Sequence, residues 1–133
     1  MFLMKLNLIY VLMLTSLFSV MKGADVPSVK PADALARVKA GDAVLIDVRE
    51  PDEWAETGVA EPAVLLSLSD LRGERKAWKP FLEKNRDKTL LLYCRSGNRS
   101  GQAAAILAKE GFKPANVGGF SGWKAAGLPV RKL

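Results

Sequence analysis

Histidine is absent from this sequence, and cysteine occurs once, at Cys94. The first absence removes a Cys-His dyad, a Ser-His-Asp triad and any ordinary zinc site, because each needs imidazole or several thiolates. The second removes an intrachain disulfide, so the fold must stand on packing. No block of five or six like charges occurs, which argues against a nucleic-acid arm and leaves no nucleic-acid partner expected. The densest basic stretch, Arg72 to Lys88, is interrupted by Glu74, Glu83 and Asp87 and reads as a solvated helix face. There is no internal repeat and no low-complexity segment. Neither a metal nor a cofactor is expected.

With 133 residues, 49% hydrophobic and 26% charged, the composition suits one globular domain with one core. The first two dozen residues differ from the rest. Lys5 is followed by Leu6 to Val20, apolar except for Asn7, Thr15 and Ser16. That pattern predicts a secretory signal over residues 1–24, with the domain over 25–133. The alternative is an uncleaved membrane anchor, since no clean A-x-A site is present, but the apolar run is shorter than the ~20 residues a bilayer span needs. The domain is thus expected outside the cytoplasm, in the periplasm or secreted. No cysteine lies near the end of the segment, which excludes a lipoprotein. Loss of Lys5 and Lys22 reduces the 20 basic residues to 18 against 14 acidic ones, a net charge of +4, enough to attract small anions.

The chain is organised around Cys94-Arg95-Ser96-Gly97-Asn98-Arg99-Ser100. This stretch lies between an apolar run, Thr89 to Tyr93, that predicts a buried strand, and an alanine-rich segment, Gln102 to Lys109, that predicts a helix. Backbone N–H groups at such a junction lack intrahelical partners and the helix dipole adds positive charge, so anions bind there. A cysteine at that place ionises more readily, and Arg95 and Arg99 should push the same way. A lone cysteine is otherwise a small buried hydrophobe, but two arginines and several polar neighbours are no setting for an inert core thiol. Without histidine, activation of Cys94 has to come from dipoles, backbone donors and arginines.

Elsewhere the pattern alternates. Pro31 opens a helix that Gly41 stops. Ala43 to Val48 is too continuously apolar for a half-exposed strand and predicts a central parallel one. Pro51 opens a short helix over Asp52 to Glu56, closed by Gly58. Ala63 to Leu66 is a third strand, Asp70-Leu71 and Trp78 to Asn85 are helical turns, Asn116-Val117 is a brief strand, and Gly118-Gly119 turn into a helix over Phe120 to Ala126. Strands alternating with helices predict an α/β domain with a mostly parallel central sheet and helices on both faces, its ligands beyond the carboxyl ends of the strands. Asp47 and Arg49, two apart on an extended strand, face one side and pair with each other or with the cysteine loop, the structural role being favoured. Phe120 and Trp123 either line a pocket mouth or, for Trp123, anchor the core.

Three stretches together resemble the rhodanese family of sulfurtransferases in its single-domain form, over about Ser28 to Val130. Leu45 to Trp54 is similar to the family's first signature, Cys94 to Ser100 to its active-site loop, and Gly118 to Trp123 with Ala126 to Val130 to its C-terminal one. One departure is plain: where many relatives have glycine-histidine-isoleucine leading to glycine-alanine, this chain reads Gly58-Val59-Ala60-Glu61-Pro62-Ala63. The resemblance implies a Cys94 thiolate that takes sulfur from a small anionic donor such as thiosulfate and passes it, as a persulfide, to cyanide or a thiol, including a protein thiol. The loop from Arg95 to Ser100, comprising Arg95, Ser96, Gly97, Asn98, Arg99 and Ser100, would bind substrate and stabilise anionic sulfur. Arg99 has two readings, donor ligand or a brace that pairs with an acid. A phosphatase or arsenate reductase is the first rival, but Cys94 to Arg99 is C-x4-R, one residue shorter than the phosphatase loop. A non-catalytic or redox-sensing sulfur carrier is the second.

Overall fold

Two adjacent apolar strands form the centre of the sheet, and everything else is laid around them. The computed structural model describes residues 26–133; the leader expected over residues 1–24 lies outside them. Helix α1 (Pro31–Ala40) begins on a proline whose fixed φ suits a first turn and ends at Gly41, in the left-handed region at φ 89°. Strand β1 (Ala43–Asp47) follows, then helix α2 (Pro51–Thr57), a two-residue strand β2 (Val59–Ala60), and edge strand β3 (Val64–Leu65). Helices α3 (Leu68–Arg72) and α4 (Trp78–Lys84) lead to strand β4 (Thr89–Cys94), helix α5 (Asn98–Lys109), strand β5 (Lys113–Gly119), helix α6 (Phe120–Ala125) and a short β6 (Val130–Arg131).

The main sheet has the order β3-β1-β4-β5, with every pair parallel. The expected α/β architecture is therefore the observed one. Side chains alternate across it as the strand period demands. Ile46, Val48, Leu90, Leu92 and Cys94 face the layer formed by α3, α4 and α5, with Trp78, Ala103 and Leu107. Leu45, Leu91 and Tyr93 face the layer of α1 and α6, with Ala34, Phe120 and Trp123. Burial on both faces explains why these strands are continuous in apolar character.

Two elements are longer than expected. Strand β5 runs over seven residues, Lys113–Gly119, rather than two. Pro114 hides it in the sequence, but β5 is the outermost full strand, where a missing N–H is tolerated. Beyond it, among the described residues, only a bridge at Ser28 adds on: Asn116 donates its N–H to the Pro27 carbonyl and accepts from Val29 N–H, at 2.8 and 3.0 Å. Helix α5 starts at Asn98, not Gln102, because Gly97 at φ 98° turns the chain sharply enough for Gly101 N–H to reach its carbonyl.

The segment where the histidine-glycine turn is missing is held by the chain's C-terminal end. β2 pairs antiparallel with β6, and the Arg131 guanidinium donates to the carbonyls of Glu61 and Ala63. Gly58, at φ 76°, lies where a Cβ would come within 2.7 Å of the Arg131 carbonyl oxygen, so no other residue fits.

Candidate active site

Cys94 is the last residue of β4 and points to the α5 side, which puts its sulfur under the first turn of that helix. The residue is fully buried. Gly97 N–H donates to Sγ at 3.0 Å and the Ser100 hydroxyl stands 3.4 Å from it. Burial pushes the thiol up, but the Ser100 hydroxyl and the backbone donors of Ser100, Gly97 and Ser96 outweigh it, and the thiol ends below its ordinary value. Backbone and hydroxyl donors thus supply the activation that the absence of histidine requires.

Of the two readings of Arg99, the structure shows the one in which it pairs with an acid. Arg99 grips Glu53 of α2 with two parallel bonds, Nη1 to Oε1 at 2.5 Å and Nη2 to Oε2 at 2.8 Å, while its charge still acts on the Cys94 sulfur. This is the bracing role. The Arg99 guanidinium holds the Glu53 carboxyl down at about 2. Glu53 also accepts from Glu50 N–H, so one carboxylate caps α2 and ties it to the cysteine loop. Arg95 and Ser96 are exposed, and Asn98 is exposed with its side chain accepting from Gln102 rather than facing the sulfur. Of the predicted loop, then, Ser96, Gly97 and Ser100 serve the sulfur, Arg95 faces solvent, and Asn98 and Arg99 serve the scaffold.

Asp47 and Arg49 pair with each other and not with the loop. Arg49 Nε and Nη2 bond the Asp47 carboxylate at 2.9 to 3.1 Å, and the remaining donors reach the Gly58 carbonyl and Thr57 hydroxyl, each at 2.9 Å. Burial opposes the Arg49 charge; the hydrogen bond and charge of Asp47 more than offset it. The guanidinium lies 4.7 Å from the Phe120 ring centre, and that ring stacks on Tyr93. Tyr93 is held protonated by burial, then by the Asp47 charge, and its hydroxyl accepts from Ala60 N–H.

What lies beneath the loop was not evident from sequence. Gly118-Gly119 read there as a turn, but they form the seat on which the loop rests. A Cβ on Gly119 would stand 2.2 Å from the Arg95 carbonyl oxygen, and one on Gly97 would stand 3.3 Å from Gly118 Cα. Paired glycines at a strand end signal this kind of close backbone approach. Asn116 at the same strand end was likewise missed: its side chain bonds Gly97, Ser100 and Gly118. The irregularity of pairing between Leu92 and Tyr93, opposite Asn116 to Gly118, makes room for it.

In front of the loop opens a cavity of about 610 Å³, bounded by Arg95 and Ser96, Glu53, Glu56 and Thr57 of α2, and Phe120 and Lys124 of α6. Phe120 lines the mouth, as one reading held. Trp123 does not; it is buried, with its indole N–H on the Pro129 carbonyl at 2.8 Å, an anchor of the core. Lys124, not singled out in the sequence, lies above the Phe120 ring with its ammonium 4.9 Å from the ring centre. Among the described residues no three acids or thiols are gathered as metal ligands would be.

Known proteins are similar to this chain in sequence and fold. The sequence pattern of the Rhodanese-like domain matches residues 30–126. A mitochondrial protein of Schizosaccharomyces pombe, provisionally named a thiosulfate sulfurtransferase, is 35% identical over 136 residues, covering 92% of each chain. The thiosulfate sulfurtransferase GlpE of Coxiella burnetii is 35% identical over 96 residues, 70% of this chain and 82% of its own. Among solved structures, a Rhodopseudomonas palustris protein of unknown function, described as a possible tyrosine phosphatase, superposes with a TM-score of 0.66 at 29% identity over 80% of this chain and 85% of that one. The match of the family pattern over residues 30–126, on a four-stranded parallel sheet that carries Cys94 at the end of a central strand, places this protein in the rhodanese-like family.

Proposed function

We propose that the protein is a sulfurtransferase that carries sulfane sulfur as a persulfide on Cys94, with thiosulfate as a donor and cyanide or a thiol as acceptor. The observation that carries this reading is the hydrogen bonding of Sγ by Gly97 N–H and the Ser100 hydroxyl, in a chain with no histidine. Such a site stabilises anionic sulfur without moving a proton, and sulfur transfer asks for nothing more. The Cys94 thiolate attacks the outer sulfur of thiosulfate; that sulfur–sulfur bond breaks, and sulfite leaves with the electron pair. The acceptor then attacks the terminal sulfur of the persulfide and releases the thiolate. Two displacements through one covalent intermediate predict ping-pong kinetics. Arg95 and Lys124, which both line the cavity, attract the donor's sulfonate.

The phosphatase description of one structural neighbour has a specific counter-argument. An arginine that clamps phosphate must be free to turn inward, and here Arg99 is bound to Glu53 by two hydrogen bonds. We further propose that the domain works outside the cytoplasm after removal of residues 1–24.

An intact-mass spectrum of the purified protein, before and after thiosulfate, tests both points. A gain of about 32 Da, removed by cyanide and absent from Cys94→Ser, is expected. The starting mass reads whether residues 1–24 are retained. Turnover of an aryl phosphate without any mass gain would replace this reading with the phosphatase one. No gain with thiosulfate or with any other sulfane donor would leave a binding module.

A further inference from the structure

The side chain of Asn116 touches the cysteine loop at Gly97 and Ser100, two of the residues that donate to Sγ. Its Nδ2 donates to the Gly97 carbonyl at 3.0 Å, and its Oδ1 accepts from the Ser100 hydroxyl at 2.8 Å and from Gly118 N–H at 3.0 Å. The amide has one workable orientation, because a flip would set its oxygen against the Gly97 carbonyl and its NH2 against an N–H. Ser100 is fully buried and its hydroxyl owns one proton. Two acceptors compete for that proton: Asn116 Oδ1 at 2.8 Å and Cys94 Sγ at 3.4 Å.

Charge decides between them. A neutral sulfur is a weak acceptor, so the proton lies on Asn116 while Cys94 is a thiol or the inner sulfur of a persulfide. A thiolate accepts a charge-assisted bond and draws the proton to itself. The hydroxyl then has a partner in every state of the cycle, and no buried donor is stranded in any of them. We propose that Asn116 is a positioning residue that acts through Ser100: it supplies the second acceptor that lets the hydroxyl proton follow the charge on Cys94 on and off. This deepens the sulfur-transfer reading of the site, but its test reads thiol ionisation and stands apart from whether thiosulfate is the donor.

The charged groups around Cys94 are few. Arg99 on α5 is paired with Glu53 on α2, the Asp47–Arg49 pair closes on itself at the end of β1, Glu50 bonds Ser69, and Arg95 faces solvent. None of them contacts Asn116, so variants there change the Ser100 proton and leave these charges in place.

The experiment is the pH dependence of Cys94 alkylation by iodoacetamide in the full chain, with thermal melts to establish folding. In Asn116→Ala the Ser100 proton has no acceptor but the sulfur, and the thiol pKa is expected to fall by about half a unit. In Asn116→Asp a carboxylate competes for the proton and adds negative charge, and the pKa is expected to rise by about one unit, a tenfold loss of thiolate below it. Both shifts should shrink to less than half in a Ser100→Ala background. A merely structural Asn116 would loosen the loop and raise the thiol pKa in both variants. That common sign, or shifts that persist undiminished without Ser100, overturns the proposal. Should Asn116→Asp not fold, the sign for Asn116→Ala decides alone.

Discussion

Two arginine–carboxylate pairs border the site, made of the same chemistry and placed in opposite surroundings. Asp47 and Arg49 are 0% and 2% exposed, and every guanidinium nitrogen has a partner. Glu53 and Arg99 are 23% and 31% exposed, and Glu53 lines the cavity. The first pair links β1 to the Thr57-Gly58 turn. The second links α2 to the helix that begins over the sulfur. Burial makes the difference: a buried pair is costly to break, because the survivor is left charged without water, whereas a half-exposed pair is screened and replaceable. The inner pair therefore holds the fold, and the outer one is free to hold the cysteine loop at modest energy.

The largest effect should come from cutting the inner pair. Arg49→Leu leaves the Asp47 carboxylate buried and strips donors from the Gly58 carbonyl, and urea denaturation should show a loss of about 3–5 kcal/mol. Adding Asp47→Asn removes the stranded charge and should recover part of it. A single variant as stable as the native protein would break the distinction between the pairs.

Next in size is Gly119→Ala, which acts on the loop without touching either pair. Its new Cβ, 2.2 Å from the Arg95 carbonyl oxygen, must displace backbone. We expect a stability loss of about 1–3 kcal/mol and a fall in sulfur transfer on the order of a hundredfold, since misplacing a reacting atom by an ångström costs about that much. Gly122→Ala is the control. A Cβ there meets nothing within 4 Å and lies inside α6, so it should leave activity intact.

How much of this was legible in the sequence follows from range. Strands buried on both faces and the junction from Thr89 to the alanine-rich helix are local patterns of hydrophobicity, and the parallel sheet and the place of Cys94 follow from them. Pairing of Asp47 with Arg49 is also local, two residues apart on one strand. What escaped depends on contacts across the fold. Glu53 reads as an acid in a first turn, and nothing near it in sequence points to Arg99, 46 residues on. Asn116 reads as a polar residue in a weak strand, because Pro114 masks the strand and the packing of β5 under the loop is tertiary. The part of Arg99 divides the same way: its charge, visible in sequence, still acts on the Cys94 sulfur, but its pairing with Glu53 is not visible there.

The smallest effect, and the one that sharpens the comparison most, concerns the outer pair. Glu53→Gln should cost about 0.5–1 kcal/mol at neutral pH, as partly exposed pairs do. The hydrogen bond from Arg99 holds the folded Glu53 carboxyl at about 2, against an ordinary 4.5. A depressed carboxylate contributes stability that is fully present above its unfolded value and is lost as pH falls through its folded one. The difference in melting temperature between the native protein and Glu53→Gln should therefore be constant above pH 4.5 and close by about pH 2. Kinetics then separate the two roles of Arg99. As a brace, losing its partner loosens the loop and lowers kcat a few-fold with little change in KM for thiosulfate. As a donor ligand, Arg99 once released would bind the sulfonate, and KM would fall. A fall in KM would mean that Glu53 restrains a substrate-binding cation, and the outer pair would become a gate on donor affinity instead of a brace.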